Sequence, residues 1–133
     1  MKDFQVGVKG IVCVHDQCLM LQNGVYWDVP GGRIDDNETL HETLTRELRE
    51  ELPSVKGFSI KEVLGAYRIH KDIVDGRGLV LIFYKVEADT FEVTLSNEHS
   101  TYRWVSKETL PELRNSPIPI NPELYEFVEK VLG

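Results

Sequence analysis

A glycine and a set of charged side chains between residues 32 and 51 stand at spacings suited to chemistry: Gly32, Glu38, Arg46, Glu47, Glu50 and Glu51. From Thr39 to Leu52 the apolar residues Leu40, Leu44, Leu48 and Leu52 recur every four positions, the stripe of an amphipathic helix. On such a helix positions i, i+3 and i+4 are neighbours, so Glu47, Glu50 and Glu51 share a strip beside that stripe, at the border of core and solvent. Three carboxylates this close repel one another unless a cation joins them. Hard oxygen ligands on one face suit Mg²⁺ or Mn²⁺. Arg46, four residues before Glu50, offsets one charge, and Pro53 cannot continue the helix and ends it. Most charge-rich helix faces are solvated surfaces with weak ion pairs. Two features set this one apart. The Val29-Pro30-Gly31-Gly32 segment reads as a turn that frees backbone groups to approach a ligand or metal, and Glu38 follows at a fixed offset.

The pattern resembles the Nudix hydrolases, whose box reads G-x5-E-x7-R-E-U-x-E-E-x-G-U, with U a bulky aliphatic residue. Gly32, Glu38, Arg46, Glu47, Leu48, Glu50 and Glu51 match. Pro53 and Ser54 depart from the pattern, in the helix exit beyond the catalytic positions. The resemblance implies that Glu47, Glu50 and Glu51 ligate the metal, Mg²⁺ with Mn²⁺ as the alternative, and that the Gly32 carbonyl is a further ligand. It implies an ion pair between Glu38 and Arg46 holding the glycine segment against the helix. Many relatives also carry a glutamate shortly before a Trp-Val strand, where it binds metal or helps deprotonate the attacking water. Here Asn97-Glu98-His99 precedes Tyr102-Arg-Trp-Val105. The candidates for general base are therefore Glu98, which is preferred, and Glu50. His99 reads as an exposed loop residue.

The implied reaction is hydrolysis of a phosphoanhydride in a nucleoside diphosphate linked to another group. It needs an activated water, a neutralised polyphosphate and an in-line geometry, all of which metal ions supply. A short chain without insertions favours a compact substrate such as a nucleoside triphosphate. The alternatives are a nucleotide sugar, a dinucleoside polyphosphate, or a non-catalytic nucleotide-binding module of the same fold. An isoprenoid isomerase would need other Cys and Glu partners than strand-like Cys13 and Cys18 provide. Tyr26 and Trp27 are candidates to stack a base, although aromatics before a Pro-Gly-Gly segment are more often core. Arg33, Arg68 and Arg77 are candidates for phosphate contact, each against the commoner role of solvated cation.

Composition agrees with an enzyme of small substrates. A chain of 133 residues reads as one domain spanning 1–133. Its net charge of −7 argues against a nucleic-acid polymer as partner. No apolar run reaches the length of a membrane span and the N-terminus lacks a signal-peptide core, which points to a cytoplasmic protein, and a monomer or homodimer is expected. Cys13 and Cys18 are too few and too close for a disulfide framework or zinc site and read as strand residues in a reducing compartment.

The elements that must position the site follow from pattern. Strands are expected at Val6–Val14 and Leu19–Leu21 with a turn at Asp16-Gln17, at Ile60–His70, at Leu79–Val86 and at Tyr102–Val105. A polar loop with an Asp75-Gly76 turn signal spans Lys71–Gly78. Asn121 caps a terminal helix with Pro122 in its first turn, and Leu124, Phe127, Val128, Val131 and Leu132 give it an apolar face. The class is α+β. The resemblance implies a Nudix-type α/β/α sandwich, a mixed β-sheet between the box helix and the C-terminal helix.

Overall fold

A computed structural model describes residues 3–69, 76–97 and 99–133. Among these residues the chain forms β1 (Phe4–Val14), β2 (Gln17–Asn23), β3 (Tyr26–Asp28), β4 (Gly31–Arg33), α1 (Leu40–Glu51), β5 (Phe58–Ile69), β6 (Gly78–Ala88) and β7 (Thr101–Val105). A 3-10 helix (Leu110–Asn115) and α2 (Pro122–Leu132) complete it. The strands make one mixed sheet in the order β3-β2-β1-β6-β5, with β4 added on β1 and β7 on β2. β1 and β6 run parallel, which the long crossover through α1 and β5 permits.

Side-chain alternation along the strands builds the two layers of core. Val8 and Val12 of β1 join Leu19, Leu21, Tyr84 and Val86 against Leu44, Leu48 and Leu52 of the α1 segment. Ile11 and Cys13 join Cys18, Met20, Leu81 and Phe83 against Leu124, Tyr125 and Val128 of α2. The result is the α/β/α sandwich expected from sequence.

Both helices start where their caps direct. Thr39 Oγ1 accepts from the Glu42 N–H at 3.1 Å while the Glu42 carboxylate accepts from the Thr39 N–H at 2.9 Å, a reciprocal capping box. Asn121 Oδ1 accepts from the N–H groups of Glu123 and Leu124 at 2.8 and 3.3 Å. Helix α1 closes at Leu52, just before Pro53.

Several expectations are corrected. Val29–Gly32 is not a simple turn: Gly31 and Gly32 run extended as part of β4, opposite Lys9 and Val8 of β1. β2 begins at Gln17 and continues to Asn23, because polar Gln22 and Asn23 pair with Trp27 and Tyr26 of β3. The preceding turn therefore falls on His15-Asp16, with His15 at φ 54°. The 3-10 helix carries no strong periodic signal, yet it buries Leu110 and Leu113. His70, most of the expected Lys71–Gly78 loop with Asp75, and Glu98 lie outside the described residues. No helix among the described residues is long and apolar enough to cross a membrane.

β2 carries β3 and β7, whereas β1 carries β4 and β6. The β1–β2 ladder that joins these two groups has two register pairs, Cys13 with Cys18 and Val14 with Gln17. Beyond that joint the groups diverge.

Candidate active site

The glycines of β4 lie against the carboxylates of α1. The Gly31 N–H donates to Glu51 Oε2 at 2.7 Å, tying the strand to the last turn of the helix. A side chain on Gly31 would strike the Val8 carbonyl, and one on Gly32 would occupy the space of the Glu47 carboxylate. Glycine is needed at Gly31 for β4 and β1 to approach this closely, and at Gly32 it leaves the Glu47 carboxylate its place. Gly32 stands opposite Val8 within the ladder to β1, so its demonstrated role is to make room for Glu47.

Arg46 organises the outer side of the strip. Its Nε and Nη2 reach the two oxygens of Glu38 at 2.8 and 2.9 Å, a bidentate ion pair. Its Nη1 donates to Glu47 Oε1 at 2.9 Å and approaches Glu50 Oε2 at 3.5 Å. Thr43 adds a hydroxyl bond to Glu38 at 3.0 Å. The Arg46 guanidinium, with help from Thr43, holds the Glu38 carboxyl below its ordinary value, and the same contacts keep Arg46 charged. The Glu38–Arg46 pair spans from the loop after β4 to the helix.

The three expected ligands sit in different surroundings. Glu50 is 59% exposed, the Glu47 side chain is mostly covered, and Glu51 is buried at 4%. Beside Glu51 lies the His99 ring, Nε2 at 3.7 Å from Oε1. Among the described residues no three His, Cys, Asp or Glu side chains converge closely enough to hold an ion as they stand. The reason is visible: Arg46 draws Glu47 and Glu50 outward while Gly31 holds Glu51 inward. The donors still fit a hard divalent cation. All are carboxylate oxygens within one helical turn, Glu47 sits in a cradle that a Cβ on Gly32 would fill, and Glu50 is exposed enough to change rotamer.

On the α2 side of the sheet, next to Gly32, a cleft of about 710 Å³ opens between the two groups of strands. Its walls are largely apolar, with Trp27, Leu81, Ile120 and Leu124 among them, and Tyr26, Arg33, Tyr67 and Asn121 supply polar groups. Burial pushes the Tyr67 phenol well above its ordinary value, with Asp28 adding to the effect, so its hydroxyl stays neutral. At the cleft floor Lys9 Nζ donates to Asp28 Oδ2 at 3.0 Å and to the Val29 carbonyl at 3.2 Å.

Three of the five residues read as substrate candidates, Tyr26, Trp27 and Arg33, line this cleft, and Arg77 does not. Trp27 is also core, at 7% exposure, and its indole Nε1 is buried without an acceptor among the described residues. Arg68 does not line the cleft. Alternation along β5 sends Tyr67 and Ile69 there, and the Arg68 guanidinium instead lies 4.7 Å from the Phe4 ring centroid. His99 corrects the expectation of an exposed loop residue, since it is buried against Glu51. Lys9 and Asp28 escaped the sequence reading. The available signal was a lone lysine inside the apolar run Val6–Val14, since a charge there demands a partner.

Known proteins resemble this chain in sequence and in fold. A model of the NUDIX domain matches residues 3–131. The CTP pyrophosphohydrolase of Escherichia coli is 31% identical over 104 residues, covering 77% of this chain and 70% of that protein. The asymmetrical bis(5'-nucleosyl)-tetraphosphatase of Mus musculus is 29% identical over 98 residues, covering 71% of this chain and 66% of its own length. A NUDIX-family hydrolase from Clostridium perfringens superposes with a TM-score of 0.76 at 18% identity, over 96% of this chain and 95% of that one, which shows the shared fold. With its glycine strand packed on the carboxylates of α1 and nearly its whole length matched, the chain belongs to the Nudix family and is a hydrolase of pyrophosphate linkages in nucleotides or their derivatives.

Proposed function

We propose that this chain hydrolyses a small nucleotide, with a nucleoside triphosphate as the preferred substrate and Mg²⁺, or Mn²⁺ in its place, as the working metal. The observation that carries this reading is the thinness of the wall at Gly31-Gly32. Two glycines separate the α1 carboxylates from a cleft of nucleoside size, so a nucleotide seated in the cleft presents its phosphates to Glu47 and Glu51. The E. coli relative, named for CTP, supports a triphosphate. The mouse relative supports a dinucleoside polyphosphate as the second reading.

Members of this family generally use divalent metal ions. A bound ion lowers the pKa of water, clamps phosphate oxygens and stabilises the leaving group. Glu47, Glu50 and Glu51 would hold it, with Glu50 turning from Arg46 to do so. Arg33 stands where the strand meets the cleft and meets the phosphates. Tyr26 and Trp27 flank the base, and the Tyr67 hydroxyl and Asn121 amide offer neutral hydrogen-bonding groups to it. Glu98 takes the proton from the attacking water, with Glu50 as the alternative base.

Pyrophosphate and phosphate release measured over a panel of triphosphates, nucleotide sugars and dinucleoside polyphosphates tests the reading. Turnover of a triphosphate with Mg²⁺, loss in EDTA and recovery on adding Mg²⁺ or Mn²⁺ are expected. Full activity in chelator overturns the metal assignment, and cleavage of the other classes alone overturns the triphosphate.

A further inference from the structure

We propose that Cys13 and Cys18 form a redox-active dithiol that an oxidant of the peroxide class closes to a reversible cross-strand disulfide at the joint of the sheet. The backbone puts the two residues in register. β1 and β2 are joined by the two-residue turn His15-Asp16, with Val14 opposite Gln17 and Cys13 opposite Cys18. In such a hairpin the pair flanking the turn exchanges hydrogen bonds, and the pairs alternate. Cys13 and Cys18 therefore form a non-hydrogen-bonded pair, where Cα atoms approach to about 4.5 Å. That separation falls inside the roughly 4.4–6.8 Å that disulfides bridge. The side chains have closed the rest of the distance, for the two Sγ atoms are 3.0 Å apart and both thiols are free.

The two sulfurs are not equivalent. Cys18 is fully buried, whereas Cys13 also lines a cavity of about 270 Å³ shared with His15, Asp16, Lys85 and Glu87, the route by which a small oxidant enters. The Cys18 thiol hydrogen-bonded to Cys13, together with the nearby Lys85 charge, lowers the Cys13 pKa against the opposing effect of burial. That hydrogen bond and burial raise the Cys18 pKa. Cys13 is thus the attacking sulfur and Cys18 the resolving one.

The Cys13 thiolate attacks one peroxide oxygen, the O–O bond breaks, and the departing hydroxide takes a proton and leaves as water. Cys13 becomes a sulfenic acid. The Cys18 sulfur attacks the Cys13 sulfur, the S–O bond breaks, and the Cys18 proton leaves with the hydroxyl as a second water. Two thiols have lost two electrons and the peroxide has gained them. A dithiol reductant reverses the change by exchange. The new bond would staple the two-pair ladder that joins the β2 group of strands to the β1 group.

The test uses the full-length wild-type chain. The reduced protein is exposed to hydrogen peroxide, denatured, alkylated and weighed by mass spectrometry. The expected product is a monomer lighter by two hydrogens, with neither cysteine alkylated and both restored by dithiothreitol. Cys18→Ser, or Cys18→Ala, should instead leave Cys13 as a sulfenic acid that dimedone traps. Wild-type protein that gains oxygen on Cys13 while Cys18 stays alkylatable overturns the proposal. So does a chain with both thiols alkylated in full, or a covalent dimer.

Discussion

Glu51 differs from its neighbours on the strip because it is buried, already committed to the Gly31 N–H, and next to His99 Nε2. Removing its charge while keeping its shape separates a metal ligand from a structural acceptor. Glu51→Gln retains a carbonyl oxygen for Gly31, so the circular dichroism spectrum should be unchanged. Its kcat should fall by at least about 100-fold, as expected for a lost metal ligand. A wild-type rate would show the carboxylate to be a helix–strand tie only. The choice of base is decided by a second comparison. Glu98→Gln should lower kcat by about 10² to 10⁴-fold, the range for a positioned base, with KM little altered and the acid limb of the pH–rate profile flattened. Glu50→Gln should raise the Mg²⁺ concentration needed for half-maximal rate as well as slow turnover. A silent Glu98→Gln gives the base to Glu50.

At the scale of elements, the loop after β4 is clamped to α1 by one bidentate pair. Glu38 takes two bonds from Arg46 and one from Thr43, so its folded pKa lies below the ordinary value near 4.5. A carboxylate depressed on folding contributes stability above its unfolded pKa, and that contribution disappears as pH falls through the folded value. Wild-type protein should therefore lose stability on acidification below about pH 4.5, and Glu38→Gln should lose less over the same window. Urea midpoints measured down the pH series read the difference, and parallel curves for the two proteins would deny the pair its role. The departure at Pro53 and Ser54 also belongs to this scale. The exit of α1 needs no glycine, because Leu52 takes φ −125°, its N–H reaches Leu48, and the Val55 N–H returns to the Leu52 carbonyl. Val55 is then buried beside Leu52, so the altered tail of the box leaves the carboxylates in place.

At the scale of the molecule, the sheet is two groups of strands joined by a short ladder, and the cleft lies where they part. Lys9 of β1 crosses that gap to Asp28 of β3, so a largely buried ion pair links the groups at the cleft floor. Removing one partner leaves the other charge buried, a loss of about 3 kcal/mol or more. Lys9→Met should show such a drop in urea denaturation, and the double variant Lys9→Met with Asp28→Asn should recover much of it. Equal losses in both variants would mean that the pair does not couple the groups.

Helix α1, the carboxylate strip and the box that identifies the family were legible in the sequence because each depends on contacts within a few residues. Leu40, Leu44, Leu48 and Leu52 announce the helix by period and Pro53 ends it by local chemistry, whereas the Thr39 cap emerged with the structure. The cap of α2 was legible for the same reason. Other features depend on partners far along the chain. Gly31 reads as a turn residue until β1 is laid beside it, and His99 reads as exposed until Glu51 is packed against it. Lys9 looks misplaced in its strand until Asp28 arrives from 19 residues away. Cys13 and Cys18 look merely close in sequence until the hairpin register sets them face to face. A pattern of spacings specifies which faces are apolar and which groups can do chemistry. Only the tertiary structure decides which groups meet, because burial and strand register bring together residues whose separation along the chain carries no signal.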